Sequence, residues 1–169
     1  AFCGNGSRCG AWCAYVSGLV KTVKFSLSTI RGVLPVEIIG LETVKMRMPD
    51  VSAAALNYSG RYPAPIGKVH FLNTGVPHAV VPLADIGSID VARLGRLLRY
   101  HKVFGPAGAN VDFVKLKGRS IHIRTYERGV EAETLACGTG ITASAIALGI
   151  EKRLKCPVEV IPRSGEKFK

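Results

Sequence analysis

A chain of 169 residues, 47% hydrophobic and 21% charged, holds enough apolar side chain for one sizeable core or two small ones and is too hydrophobic to stay disordered. No apolar run reaches the roughly 20 residues a membrane span needs, and no basic-then-apolar leader is visible, so a cytoplasmic protein without a membrane partner is expected. The net charge of +11 is scattered among alternating apolar positions, which reads as a solvated face and not as a nucleic-acid surface.

In chain order, Cys3-Gly4-Asn5-Gly6 leads into Cys9, Trp12, Cys13 and Val16, spaced i, i+3, i+4, i+7 on one face of a helix. Val23, Phe25 and Leu27 alternate with Thr22, Lys24 and Ser26, and Val44, Met46 and Met48 alternate with Lys45 and Arg47; both patterns predict half-buried strands. Residues 52–67 collect Gly, Pro, Ser, Asn and three alanines, which places a domain boundary near Pro49 and divides the chain into 1–49 and 50–169. Short strands are predicted at 69–72, 79–83, 111–116, 121–125 and 158–161. Val91, Leu94, Leu97 and Leu98 predict a peripheral amphipathic helix with Asp90 or Ser88 as N-cap. Behind Cys137-Gly138-Thr139-Gly140, residues 141–148 are small or apolar nearly all round, which predicts a helix enclosed by strands and ended by Gly149 as C-cap.

The Cys-Gly-x-Gly tetrapeptide therefore occurs twice, each time opening a helix, as in two related halves that face one another. The first backbone N–H groups of a helix lack an intrahelical partner and its dipole end is positive, so such a start binds a carboxylate and is expected to lower the pKa of a thiol placed there. Glycines let a ligand approach the backbone. Two such starts could hold one carboxylate with Cys3 and Cys137 flanking the carbon attached to it. One sulfur as thiolate removes the α-proton and the other as thiol returns a proton to the opposite face, while the helix ends stabilise the developing charge. That chemistry is racemisation or epimerisation without a cofactor.

The odd number of cysteines and their spacing are unlike a disulfide framework. Cys9, Cys13 and Cys156 are expected in the core. A zinc site from Cys3, Cys9 and Cys13 remains an alternative, although it lacks paired Cys-x-x-Cys spacing and an obvious fourth ligand. A basic nucleic-acid-binding module is the rival from another class; it would interleave aromatics with Lys and Arg, whereas Trp12 and the Phe residues sit at apolar positions.

Cys3-Gly4-Asn5-Gly6-Ser7-Arg8-Cys9, together with Glu127-Arg128-Gly129, Glu133-Thr134 and Ala136-Cys137-Gly138-Thr139-Gly140, resembles the two active-site motifs of the diaminopimelate epimerase family. Proline racemases and 4-hydroxyproline epimerases share the cysteine pair, but their first motif typically has His where Asn5 stands. The resemblance implies an α/β (α+β) fold of two pseudo-symmetric halves, each a curved, mostly antiparallel sheet around a central helix. It implies conversion of LL- to meso-diaminopimelate for lysine and peptidoglycan precursor synthesis, with no cofactor and no metal. A homodimer is a candidate assembly of the full-length enzyme. Another amino-acid racemase of the same fold is the alternative.

By the same resemblance Cys3 and Cys137 are the catalytic pair, and Gly4, Asn5, Gly138 and Thr139 present backbone N–H groups to the substrate carboxylate. Glu127 and Arg128 handle its amino and carboxylate groups, as suits a zwitterion. Asn110 contacts the non-reacting end and His78 lines and orders the site. Only structural roles are expected for His70, His101 and His122. Two departures from the family pattern stand out. Val76 occupies a position where many members have an asparagine, so either Asn73 substitutes or distal recognition is looser. The segment 129–134 is one residue longer than the commonest form, which predicts a slightly wider loop. The family pattern also leads us to expect further strands before Cys3 and after the hairpin at Arg163-Ser164-Gly165-Glu166.

Overall fold

Alternation in the first third of the chain is read out as an antiparallel sheet. The computed structural model describes residues 3–30 and 32–169 and divides the chain into two units, Ala1–Asp50 and Val51–Lys169. In the first unit β1 (Lys24–Thr29), β2 (Gly32–Gly40) and β3 (Thr43–Met46) pair in the order β1-β2-β3. The central strand escaped prediction because Pro35 sits in its middle and glycines bound it, signals that argue against a central strand. Pro35 lacks an N–H, but its carbonyl still accepts from the Arg47 N–H at 3.0 Å. Leu34, Val36 and Ile38 point to one face and are buried, while Glu37 on the other face pairs with Lys24 at 3.2 Å in solvent.

Helix α1 (Gly4–Val16) buries Gly4 and Ala11, seven residues apart, rather than the predicted stripe. Cys9, Cys13 and Val16 are exposed, which corrects the core expectation for those cysteines; α1 contacts β1 and β3, and its buried residues are the small ones.

In the second unit the described residues form a seven-stranded sheet. Its order is β10 (Glu159–Ile161), β8 (Ser120–Glu127), β7 (Asn110–Lys117), β6 (Pro77–Pro82), β5 (His70–Asn73), β4 (Ala53–Ala55), with β9 (Ala132–Thr134) also paired to β8. The β6–β7 and β8–β10 pairings are parallel and the others antiparallel. Helix α2 (Val91–Arg99) and helix α3 (Gly138–Lys152) build separate cores. Ala79 and Val81 of β6 pack with Leu94 and Leu98 of α2, whereas Val80 packs with Ala143 and Ala147 of α3. Strands covered on both faces lose the alternating pattern, which is why β6 reads as a continuous apolar run.

Asp90 caps α2 by accepting from the Arg93 N–H at 2.9 Å. Gly95 meets β8 directly, since a Cβ there would lie 2.4 Å from Tyr126 Cβ; Leu97, placed on the apolar face by periodicity, is exposed instead. Helix α3 continues past Gly149, where it was expected to stop, to Lys152, and ends on Arg153 in the left-handed region at φ 51°. The extra turn is held by Glu151, whose carboxylate accepts from Lys68 Nζ at 3.1 Å and lies 2.6 Å from His70 Nε2. Cys156, exposed on the loop beyond, is the third cysteine that is not core.

Candidate active site

The two cysteine motifs adopt one backbone geometry. Cys3 is the N-cap of α1 at φ −125°, ψ 107°, and Cys137 the N-cap of α3 at φ −124°, ψ 110°. The carbonyl of each accepts the first helical hydrogen bond, from Ser7 N–H at 3.0 Å and from Ile141 N–H at 2.9 Å. Gly4 and Asn5, and likewise Gly138 and Thr139, thus fill the first helical turn, whose N–H groups have no intrahelical acceptor.

Their side-chain surroundings differ. In the first unit Cys3 is exposed and its sulfur accepts from the Gly6 N–H at 3.3 Å. The Asn5 carboxamide oxygen is held by Arg8 Nη2 at 2.6 Å, one turn along the same helix. In the second unit Cys137 is only 8% exposed. Burial, then the charge of Asp112, pushes its thiol up to about 12, opposite to the lowering expected from a helix start. Glu127 adds to the rise. Desolvation of a thiolate outweighs the helix end here, and sequence spacing does not register burial.

Behind Cys137 lies a set of buried polar groups. Thr139 Oγ1 stands 3.3 Å from Cys137 Sγ and 2.8 Å from His78 Nε2, and His78 Nδ1 stands 2.6 Å from Asp112 Oδ2. Asp112 Oδ1 accepts from the Thr125 hydroxyl at 2.8 Å, and Thr74 donates to the Thr139 carbonyl at 3.0 Å. His78 and Asp112 are fully buried, so each needs these partners. Gly140 makes the approach feasible, because a Cβ there would meet Asp112 Oδ1 at 2.4 Å.

Asn110, at the start of β7, spends its amide on the scaffold: its oxygen accepts from the Arg128 N–H at 2.8 Å and its nitrogen donates to the Pro77 carbonyl at 3.1 Å. Glu127 ends β8 and Arg128 follows it at the turn toward β9, whose geometry is set by Glu131. The Glu131 carboxylate accepts from the Gly129 N–H and from Arg99 Nε, both at 3.0 Å. The longer loop is thus a pinned turn. Asn73, offered as a substitute for the asparagine missing at Val76, commits its oxygen to the Gly75 N–H at 3.1 Å.

The residues singled out from sequence therefore fall into two groups, Cys3, Gly4 and Asn5 in the first unit and the remainder in the second. Asp112, Thr125, Glu131 and Arg99 were missed. Asp112 carried a signal, a carboxylate set among Val111, Phe113 and Val114 in the apolar part of a strand. No group of three His, Cys, Asp or Glu side chains among the described residues is placed to hold a metal ion.

The same architecture occurs in solved structures. A phenazine biosynthesis protein of the PhzF family from Bacillus anthracis matches 98% of this chain and 65% of its own, with TM-score 0.72 and 16% identity. A probable proline racemase from Agrobacterium radiobacter K84 matches 99% and 58%, with TM-score 0.71 and 19% identity. The fold is thus the one shared by proline racemases and PhzF proteins. Sequence narrows it: a family model described as diaminopimelate epimerase matches residues 70–167. A diaminopimelate epimerase of Aquifex aeolicus is 44% identical over 170 residues, covering 97% of this chain. The chain belongs to the diaminopimelate epimerase family, the one its motifs resemble, and it spans 59% of that relative's length.

Proposed function

We propose that this protein epimerises LL-2,6-diaminopimelate to meso-2,6-diaminopimelate without a cofactor, with Cys3 and Cys137 as the two proton-transfer groups. The observation that carries the reading is the shared N-cap geometry of the two cysteines, which gives each thiol a helix start and a glycine-flanked turn. In this reading the N–H groups of Gly4, Asn5, Gly138 and Thr139 bind the carboxylate at the reacting carbon and stabilise the charge released into it. Glu127 accepts from substrate ammonium and Arg128 grips carboxylate, with Asn110 fixing the Arg128 backbone. His78 orders the Cys137 side of the site. Cys137, whose pKa lies far above neutral, is the resting acid, and Cys3 is the second proton-transfer group. The surrounding pathway is lysine and peptidoglycan precursor synthesis. We place it in the cytoplasm, a reducing compartment that suits an active thiol pair and a cysteine spacing unlike a disulfide framework.

The test is turnover in D₂O. Product should carry one solvent deuteron at the inverted centre, and Cys3→Ala or Cys137→Ala should abolish inversion, whereas Cys9→Ala and Cys156→Ala should not. An active Cys137→Ala protein refutes the scheme. Substrate choice is tested by kcat/KM for diaminopimelate against glutamate. Diaminopimelate should be preferred, because each hydrogen bond to a charged distal group is worth about 1.5–3 kcal/mol. Val76→Asn should widen the preference; an unchanged ratio makes Val76 a packing residue.

A further inference from the structure

We propose that Asp112 sets the direction of a buried hydrogen-bond chain, from Cys137 through Thr139 and His78 to Asp112, that keeps the proton on the Cys137 sulfur. The chain stands on geometry alone, and its meaning for catalysis rests on the two-cysteine reading.

A carboxylate only accepts, so Asp112 Oδ2, 2.6 Å from His78 Nδ1, requires the imidazole proton on Nδ1. In the neutral ring Nε2 is then the acceptor. Asn110 independently agrees: its oxygen is taken by the Arg128 N–H, so its NH₂ group is the one that faces Nε2, at 3.5 Å. Thr139 has a single hydroxyl proton, and Nε2 at 2.8 Å claims it. The Thr139 oxygen is left with lone pairs toward Cys137 Sγ at 3.3 Å, and the proton in that contact must belong to the sulfur. A threonine that donated to the sulfur would favour the thiolate; the claim of His78 on its proton reverses the sense.

Every link is at most 8% exposed, which leaves little access for solvent to re-orient the chain. The groups that act on the sulfur come from three strands and from α3 itself: Asp112 on β7 and Glu127 on β8 repel a thiolate, His78 on β6 orients Thr139, and the Gly140 N–H at the helix start hydrogen-bonds the sulfur and works the other way, outweighed by burial and the two carboxylates. Gly140 on α3 supplies the space in which the Asp112 carboxylate sits. The resting protein is thereby poised as a proton donor at Cys137. The stereoisomer whose α-proton faces the other thiol reacts from this form, and the opposite isomer needs the protons redistributed first.

Asp112→Asn removes both the orienting acceptor and a charge that repels the thiolate, and the Thr139 variants, which keep that charge, separate orientation from it. The new amide can donate to Nδ1, which moves the imidazole proton to Nε2, so that His78 donates to Thr139 and Thr139 to the sulfur. Iodoacetamide alkylation of Cys137 across pH, read on its own peptide by mass spectrometry, reports the thiolate without requiring activity. Asp112→Asn should lower the midpoint and raise the rate near neutral pH about tenfold or more, as one pKa unit does. Thr139→Val should raise the rate as well, while Thr139→Ser should keep the native profile. An unchanged or slower Cys137 in folded Asp112→Asn, or slower alkylation in Thr139→Val, overturns the proposal. Should Asp112→Asn unfold, seen as all five cysteines reacting alike, the Val and Ser pair at Thr139 decides. A protein that fails to epimerise yet shows these shifts would refute the two-cysteine reading and leave the chain intact.

Discussion

Gly140 shows how much of the site depends on a missing atom. A Cβ at 2.4 Å from Asp112 Oδ1 cannot be accommodated without moving a carboxylate that is already tied to His78 and Thr125. Gly140→Ala should therefore destabilise the protein by about 1–3 kcal/mol, the usual cost of overpacking, in chemical denaturation. It should also shift the Cys137 alkylation profile toward that of Asp112→Asn. Full stability with an unaltered profile would mean that the carboxylate has room to retreat. At this scale the sequence marked Cys3, Cys137 and their glycines as two helix starts, because a repeated motif is visible in one dimension. It gave the wrong sign for the Cys137 pKa, because burial beside Asp112 is produced by strands far apart in the chain.

At the scale of elements, most strands and all three helices were legible from periodicity, and the failures have identifiable causes. Pro35 hid β2, and β9 is three residues inside a motif that read as a loop. Helix α1 was assigned the wrong buried face, since Cys9, Trp12, Cys13 and Val16 form a better apolar stripe than Gly4 and Ala11 do. The small residues are the ones that are buried. The β8–β9 turn illustrates a role no pattern announced: Glu131, at φ 58°, fastens it to Arg99 of α2 and to the Gly129 N–H. Glu131→Ala should cost about 1 kcal/mol for each hydrogen bond lost, because the carboxylate is partly in solvent. Because Arg128 sits on this turn, KM should rise more than kcat falls; a larger effect on kcat would place Glu131 closer to the chemistry than the geometry does.

For the whole molecule, the response to acid follows from the strut at the end of α3. Burial lowers the His70 pKa below 6.5 despite its Glu151 partner. The Glu151 carboxyl is raised by burial but brought down to about 2 by hydrogen bonds from Lys152, Lys68 and His70. Both groups have folded pKa values depressed below 6.5 and 4.5, so each contributes stability that is present at higher pH and lost as pH falls through that window. The thermal midpoint should begin to drop below about pH 6.5 and fall further between about 4.5 and 2, and His70→Gln should remove the first phase. A flat profile down to pH 4 would show that His70 charges without penalty. The central claim, that one thiol takes the α-proton and the other returns one to the opposite face, is tested most directly in the Cys137→Ala protein. Each diaminopimelate stereoisomer is incubated in D₂O, and deuterium content is measured in the separated isomers. With Cys3 alone, one isomer should gain deuterium at its α-carbon with retained configuration and no epimer should form. Epimer appearing at the native rate would contradict the account.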